Sequence, residues 1–136
     1  MTDSDKLLEQ ANQRFGKDFF ATQTTGIEIV AASVGYARCQ LKVDGRHCNA
    51  MGAVMGGAIY TLADFAFAVA ANMERLDTVS LASNIAFVAQ PKGDTLFAEA
   101  KPLKDGGSVC HYQITVTDNL GNLVANVNTS GVKVRR

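Results

Sequence analysis

A chain of 136 residues makes one domain, long enough to bury a real core. Its 13 Lys and Arg balance its 13 Asp and Glu, so the overall charge gives no pull toward nucleic acid or an anionic membrane. An apolar fraction of 47% and a charged fraction of 19% are ordinary for a soluble globular protein.

The polar start, MTDSDKLLEQ, carries no signal-peptide pattern. Cys39, Cys48 and Cys110 lack the spacing of a disulfide framework, and an odd count fits a reducing compartment. A cytoplasmic location is the expectation. With only His47 and His111 in the chain, and His111 on a strand face, no metal site is expected.

In chain order, Asp3 or Ser4 is placed to cap a first helix to about Phe15, with Leu7, Leu8, Ala11 and Phe15 on one face. Gly16 ends it, and Phe19 and Phe20 follow in a short connector, where they cover something apolar. Residues 1–24 thus precede the main body, 25–136. Strands are predicted over 26–32 and 36–43, the second with Ala37, Cys39, Leu41 and Val43 alternating with polar residues. Asp44-Gly45 turns the chain into the stretch from His47 to Asn72.

That stretch contains the longest apolar run, predicted as one helix over 56–73 that is buried on most sides. Four strands follow, over 78–90, 95–104, 108–117 and 122–134, joined by short polar turns such as Pro91-Lys92-Gly93-Asp94. The third of these shows Cys110, Tyr112, Ile114 and Val116 on one face. Short turns between half-apolar strands imply an α+β protein, an antiparallel sheet wrapped around one long central helix. A single sheet cannot cover a helix that is apolar all round. A second copy is therefore expected against it.

One charge interrupts the helix. Asp64 has no Lys or Arg at Tyr60, Thr61, Phe67 or Ala68, the positions three and four residues away. Either a distant arginine pairs with it, or it works as a general base or nucleophile in a cleft where burial raises its pKa. Gly56-Gly57 at the helix start leave first-turn N–H groups as an oxyanion site, although close packing alone also explains two glycines. No lysine follows them, which excludes a phosphate-binding loop. Gly56 and Asp64 lie eight residues apart in the sequence. That is roughly 12 Å along a helix, too far for both to meet one carbonyl. If both act on one substrate, they come from different copies.

Asn49 is placed to orient a water or a carbonyl, or else to satisfy its own loop. His47 reads as a supporting group, Cys48 as packing, and Ser80, on the strand after the helix, as a hydrogen-bond partner for a carboxylate or water or as a surface polar residue.

His47-x-Asn49-x-x-Gly52-x-x-x-Gly56-Gly57, followed by Leu62-Ala63-Asp64, resembles the hotdog-fold acyl-CoA thioesterases of the phenylacetic-acid-degradation (PaaI-like) type. The likeness extends over about residues 25–134, since the order of strands and helix also fits. It implies a hotdog fold and acyl-CoA thioester hydrolysis. It further implies Asp64 as nucleophile or base, the Gly56 N–H polarising the carbonyl, Asn49 positioning the reacting groups and Ser80 assisting. His47, Met55, Gly57 and Phe67 are the expected substrate contacts. A dimer, paired into a dimer of dimers, is implied as well. No cofactor is expected, because coenzyme A is part of the substrate.

One position departs from the pattern. Where the family has His-Gly-Gly this chain has Met55-Gly56-Gly57, and methionine neither donates a strong hydrogen bond nor carries charge. A changed acyl preference or weaker turnover is the consequence to look for. The alternatives are a hotdog protein that binds an acyl-CoA or acid without turnover, and a hotdog dehydratase, for which His47 is poorly placed. The acyl group expected is small and aromatic or of medium length. Phe19, Phe20, Tyr60 and Phe67 are candidate pocket walls, and Lys92, Lys104, Arg135 and Arg136 are cations available to the phosphates of coenzyme A.

Overall fold

The computed structural model describes residues 1–134. Helix α1 (Asp3–Phe15) is capped one residue earlier than the sequence suggested. The Thr2 hydroxyl accepts from the Asp5 N–H while the Asp5 carboxylate accepts from the Thr2 N–H. That reciprocal box satisfies two N–H groups at once, which neither Asp3 nor Ser4 does. Ala11 and Phe15 on its apolar face enter the common core. The connector is not irregular, since Phe20–Thr25 forms a π-helical turn closed by Gly26 at a φ of 87°.

The strands are β1 (Glu28–Ser33), β2 (Tyr36–Lys42), β3 (Thr78–Phe87), β4 (Thr95–Asp105), β5 (Val109–Asp118) and β6 (Leu123–Lys133). They form one antiparallel sheet in the order β1-β2-β4-β5-β6-β3. The helix α2 (Gly56–Ala71) crosses its concave face and packs chiefly on β2 and β4, while α1 packs on β1. The expected hotdog arrangement, a sheet around one long helix, is the one observed.

Alternation did its work in the strands beneath α2. Ala37, Cys39 and Leu41 of β2, Leu96, Ala98 and Ala100 of β4, and Ile114 and Val116 of β5 are all fully buried. They meet Ile59, Leu62, Ala63, Ala66 and Val69 of the helix. Burying this apolar surface is the main stabilising term of the fold. One stripe of α2 stays out of the core: Gly57, Thr61, Asp64 and Ala68, which share a helix face by their spacing.

Strand β3 departs from its expected half-buried pattern. Val79, Leu81 and Phe87 are 50%, 65% and 56% exposed, and the strand has almost no buried residue on either face. The reason is its place at the sheet edge, with β6 on one side and no strand of the described residues on the other. It is an uncovered apolar edge.

Two side chains lock the frame. Asn72, buried just after α2, donates to Ala68 O and Thr78 O and accepts from the Asp77 and Thr78 N–H groups, which fixes the start of β3 against the helix end. The Asp118 carboxylate accepts from the backbone N–H groups of Lys92, Gly93, Leu120 and Asn122, tying two turns together. Among the described residues, no helix is long and apolar enough to cross a membrane.

Candidate active site

The loop that leads into α2 is built by its own polar groups. The Asn49 Oδ1 accepts from the Met51 N–H at 2.9 Å and the Ala53 N–H at 3.0 Å. Gly52 sits between them at a φ of 80°, a backbone conformation that favours glycine. The Gln90 carboxamide grips Val54 on both sides, accepting from its N–H at 3.0 Å and donating to its carbonyl at 3.3 Å. The Met55 N–H donates to His47 O at 2.8 Å. These bonds hold the first residue of α2 in place.

His47 is part of the strapping and not a free group. It is buried, its Nδ1 accepts from the Asp44 N–H at 3.0 Å, and its Nε2 lies 2.7 Å from Thr25 O. The first bond puts the ring proton on Nε2, which donates to Thr25 O. Its polar atoms are therefore engaged with the backbone, although its ring still borders a cleft with Met55 and Gly57.

At the start of α2, the carbonyl of Met55 accepts from the Ala58 and Ile59 N–H groups. The Gly56 and Gly57 N–H groups have no acceptor among the described residues. That is the ordinary condition of a helix N-terminus, and it makes the pair a site for developing negative charge. The absent side chain matters at Gly56, where a Cβ would stand 2.8 Å from Phe87 Cζ. Gly56, Asn49, Ile59, Phe87, Val88 and Gln90 line a largely apolar cleft of about 460 Å³. The Asn49 amide NH₂, unused by its loop, is free to donate there.

Asp64 opens elsewhere. It borders a cleft of about 290 Å³ whose walls include Asp18, Phe19, Phe20, Thr61, Phe65 and Ala68. The carboxylate has no hydrogen bond and no ion pair among the described residues, and no arginine among them holds it. Burial pushes its pKa up, and the negative charge of Asp18 adds to the rise. Such a carboxylate is a better proton acceptor at neutral pH than an exposed one. The cleft of about 430 Å³ bordered by Met55, Gly57, His47 and Arg46 adjoins it through Phe20 and Thr61.

The residues singled out in the sequence therefore separate into groups. Asn49 and Gly56 share one cleft, while Asp64 stands in another that has no residue in common with it. Met55, Gly57 and His47 border the third. Ser80 is exposed on the bare β3 edge, paired in the ladder with Gly131. Phe67, expected as a substrate contact, is a core residue instead. It is 2% exposed and meets Tyr112 edge-on with ring centroids 5.3 Å apart. In a helix apolar all round, periodicity does not say which phenylalanine faces out. Phe19 and Phe20 do face out; Tyr60 is partly buried against the core. Lys92 and Lys104 lie on the surface around the turns, and Arg135 and Arg136 fall outside the described residues.

Sequence reasoning did not find Asp18, which precedes the π-helical turn and reaches Asp64 only through the fold. Among the described residues no group of His, Cys, Asp and Glu is arranged to hold a metal.

Residues 51–125 match the family model of the Thioesterase superfamily. The acyl-coenzyme A thioesterase PaaI of Escherichia coli is 31% identical over 123 residues, covering 90% of this chain and 87% of its own. Human acyl-coenzyme A thioesterase 13 is 30% identical over 103 residues, covering 73% of this chain and 74% of its own. The solved structure of E. coli PaaI overlays with a TM-score of 0.83 at 26% identity, covering 95% of this chain and 96% of that one. The smu.793 protein of Streptococcus mutans, solved bound to acetyl CoA, overlays with a TM-score of 0.72 at 25% identity, covering 80% and 91%. The chain belongs to the Thioesterase superfamily and is a hotdog-fold member of the PaaI-like kind.

Proposed function

We propose that the protein hydrolyses the thioester of a small aromatic or medium-chain acyl-CoA at a site shared by two copies of the chain. The observation that carries this reading is the separation of the working groups. One unbroken helix holds a carboxylate in one cleft and first-turn N–H groups in another, neither with a partner among the described residues. The spacing, roughly 12 Å for eight residues, prevents both from acting on one carbonyl within a chain. A second copy brought against the bare β3 edge covers Val79, Leu81 and Phe87 and pairs the unused ladder groups. Phe87 of that edge also borders the Gly56 cleft, so covering the edge brings the partner beside it. A dimer of dimers is the larger assembly we infer.

In the proposed reaction the thioester carbonyl lies against the Gly56 N–H of one copy, with the Asn49 amide beside it. Asp64 of the other copy either takes the proton of a water that attacks the carbonyl or attacks it directly. The charge that grows on the carbonyl oxygen is met by the helix N-terminus. The carbon–sulfur bond breaks and the coenzyme A thiolate leaves and takes up a proton; in the direct route water then cleaves the acyl–Asp64 anhydride. No cofactor is needed, since coenzyme A arrives with the substrate. The name of E. coli PaaI and the acetyl CoA in the S. mutans structure support this substrate class. Met55, Phe20 and Ala58 give the adjoining cleft its apolar character.

The test is a thiol-release assay over acyl-CoAs from acetyl to decanoyl, with benzoyl and phenylacetyl. Turnover is expected, with Asp64→Asn removing it and leaving acyl-CoA binding in place. No turnover with any member of that panel, despite measurable binding, contradicts the enzyme and favours a binding protein.

A further inference from the structure

We propose that Asp18 is a positioning residue for the Asp64 chemistry, its negative charge set across the same cleft so as to strengthen Asp64 as a proton acceptor. This rests on the catalytic role of Asp64 proposed above.

The place of Asp18 is built and not incidental. Its N–H donates to Phe15 O at 3.0 Å, and its carbonyl accepts from the Thr22 N–H at 2.9 Å and the Thr22 hydroxyl at 3.0 Å. The α1 helix before it is fixed by Arg14, whose guanidinium donates to Asn72 O and Met73 O at 2.8 Å each. The connector beyond it is held by Arg46 at Thr24 O and by His47 at Thr25 O. The backbone of Asp18 is thus anchored from both ends above the open stripe of α2.

The side chain, by contrast, stabilises nothing visible. It makes no hydrogen bond and no ion pair among the described residues. It lines a cleft with Asp64 between the rings of Phe19, Phe20 and Phe65. Asp18 is exposed and Asp64 half-buried, and with no cation paired to either among the described residues the two carboxylates repel each other across the cleft.

Among the described residues no cation pairs with Asp64. Of the cations on the neighbouring elements, Arg14 is engaged with the end of α2 and Arg46 with Asp44 and Thr24, while Lys17, next to Asp18 on the exposed connector, makes no ion pair among the described residues. The sheet groups that face α2 are Cys39, Cys110 and Tyr112. Burial pushes the Cys39 thiol and the Tyr112 phenol up to about 12 and raises the Cys110 thiol, so all three are neutral. Asp18 is the one charged neighbour in the lining, and its effect on Asp64 is to raise the carboxyl pKa further than burial does alone.

The experiment follows the Asp64 side-chain carboxyl by carbon-detected NMR across pH, in the full-length protein, for wild type, Asp18→Asn and Asp18→Glu. Thioester hydrolysis is recorded over the same range. In Asp18→Asn the Asp64 midpoint and the acid limb of kcat/KM both move to lower pH, and the plateau falls by about a few-fold because the base is weaker. Asp18→Glu keeps the wild-type profile. Salt at about 1 M, where the Debye length is about 3 Å, moves the wild type toward the variant and leaves the variant nearly unmoved. The salt measurement needs no substitution and covers the case of a variant that does not fold. An Asp64 midpoint that is the same in wild type and Asp18→Asn, or that ignores salt, overturns the proposal. A midpoint that shifts in a protein with no turnover upholds the coupling and sinks the thioesterase mechanism instead.

Discussion

Replacing Asp64 by Asn is predicted to make the protein more stable while abolishing its turnover. The carboxylate is half-buried, shares a cleft with Asp18 and has, among the described residues, no hydrogen bond or ion pair to offset its lost hydration. Its folded pKa is raised, first by burial and then by Asp18. A carboxyl whose pKa is higher in the folded state than in the unfolded one, about 3.9, costs stability at every pH where it is ionised. The cost is complete above the folded pKa and disappears as pH falls through it toward the unfolded value. Asparagine keeps the shape and removes the charge. Solvent screens part of the penalty at a half-buried site, so the gain is at the lower end for a stabilising substitution, about 0.5–1 kcal/mol. For a domain of this size that is about 2–4 °C in Tm. Turnover falls by about 10²–10⁴-fold with the loss of the base. Differential scanning calorimetry of both proteins between pH 7.5 and pH 4 is the assay. The gap in Tm is positive at the upper end and narrows on acidification. A variant less stable than wild type at pH 7.5 is the contrary result, because it means that a partner holds the carboxylate.

Asp118 gives the opposite sign. Burial raises its pKa, but the N–H groups of Asn122, Lys92 and Gly93 more than offset this and hold it well below the usual carboxylate range. Its contribution is present above the unfolded value of about 3.9 and is lost on acidification, so Asp118→Ala lowers Tm at pH 7 and the deficit shrinks below about pH 4; a deficit independent of pH counts against the carboxylate. Phe67→Ala loses about 3–5 kcal/mol by leaving a core cavity. Phe67→Leu costs less and keeps the order of preferred acyl-CoAs, whereas a reordered panel with unchanged stability restores Phe67 to the pocket.

Much of this fold was legible because burial and sequence share a period. Ala37, Cys39 and Leu41 alternate with Arg38 and Gln40 and end up under α2. The same reading misjudged β3, since alternation shows that a strand has two faces but not whether anything covers either. Asp64 stood out because charge is rare in an apolar helix, and Gly56 because glycine at a helix start leaves room. The side of the helix that each residue faces is not legible in an all-apolar run, which is why Phe67 reads as a pocket wall in the sequence and is a core residue in the fold. His47 was seen, but its bond to Thr25 joins residues 22 apart. Asp18 is likewise brought to Asp64 by the π-helical turn, for which no periodicity exists to read.

In the proposed dimer each site takes Asp64 from one copy and Gly56 with Asn49 from the other. Mixing Asp64→Ala chains with Asn49→Ala chains tests it most directly, with hydrolysis measured on purified mixed dimers that carry two different affinity tags. A shared site leaves one of the two sites whole, so the mixed dimer regains about half of the wild-type rate while each parent dimer stays low. A verified mixed dimer no more active than its parents contradicts the shared site and places the whole reaction within a single chain.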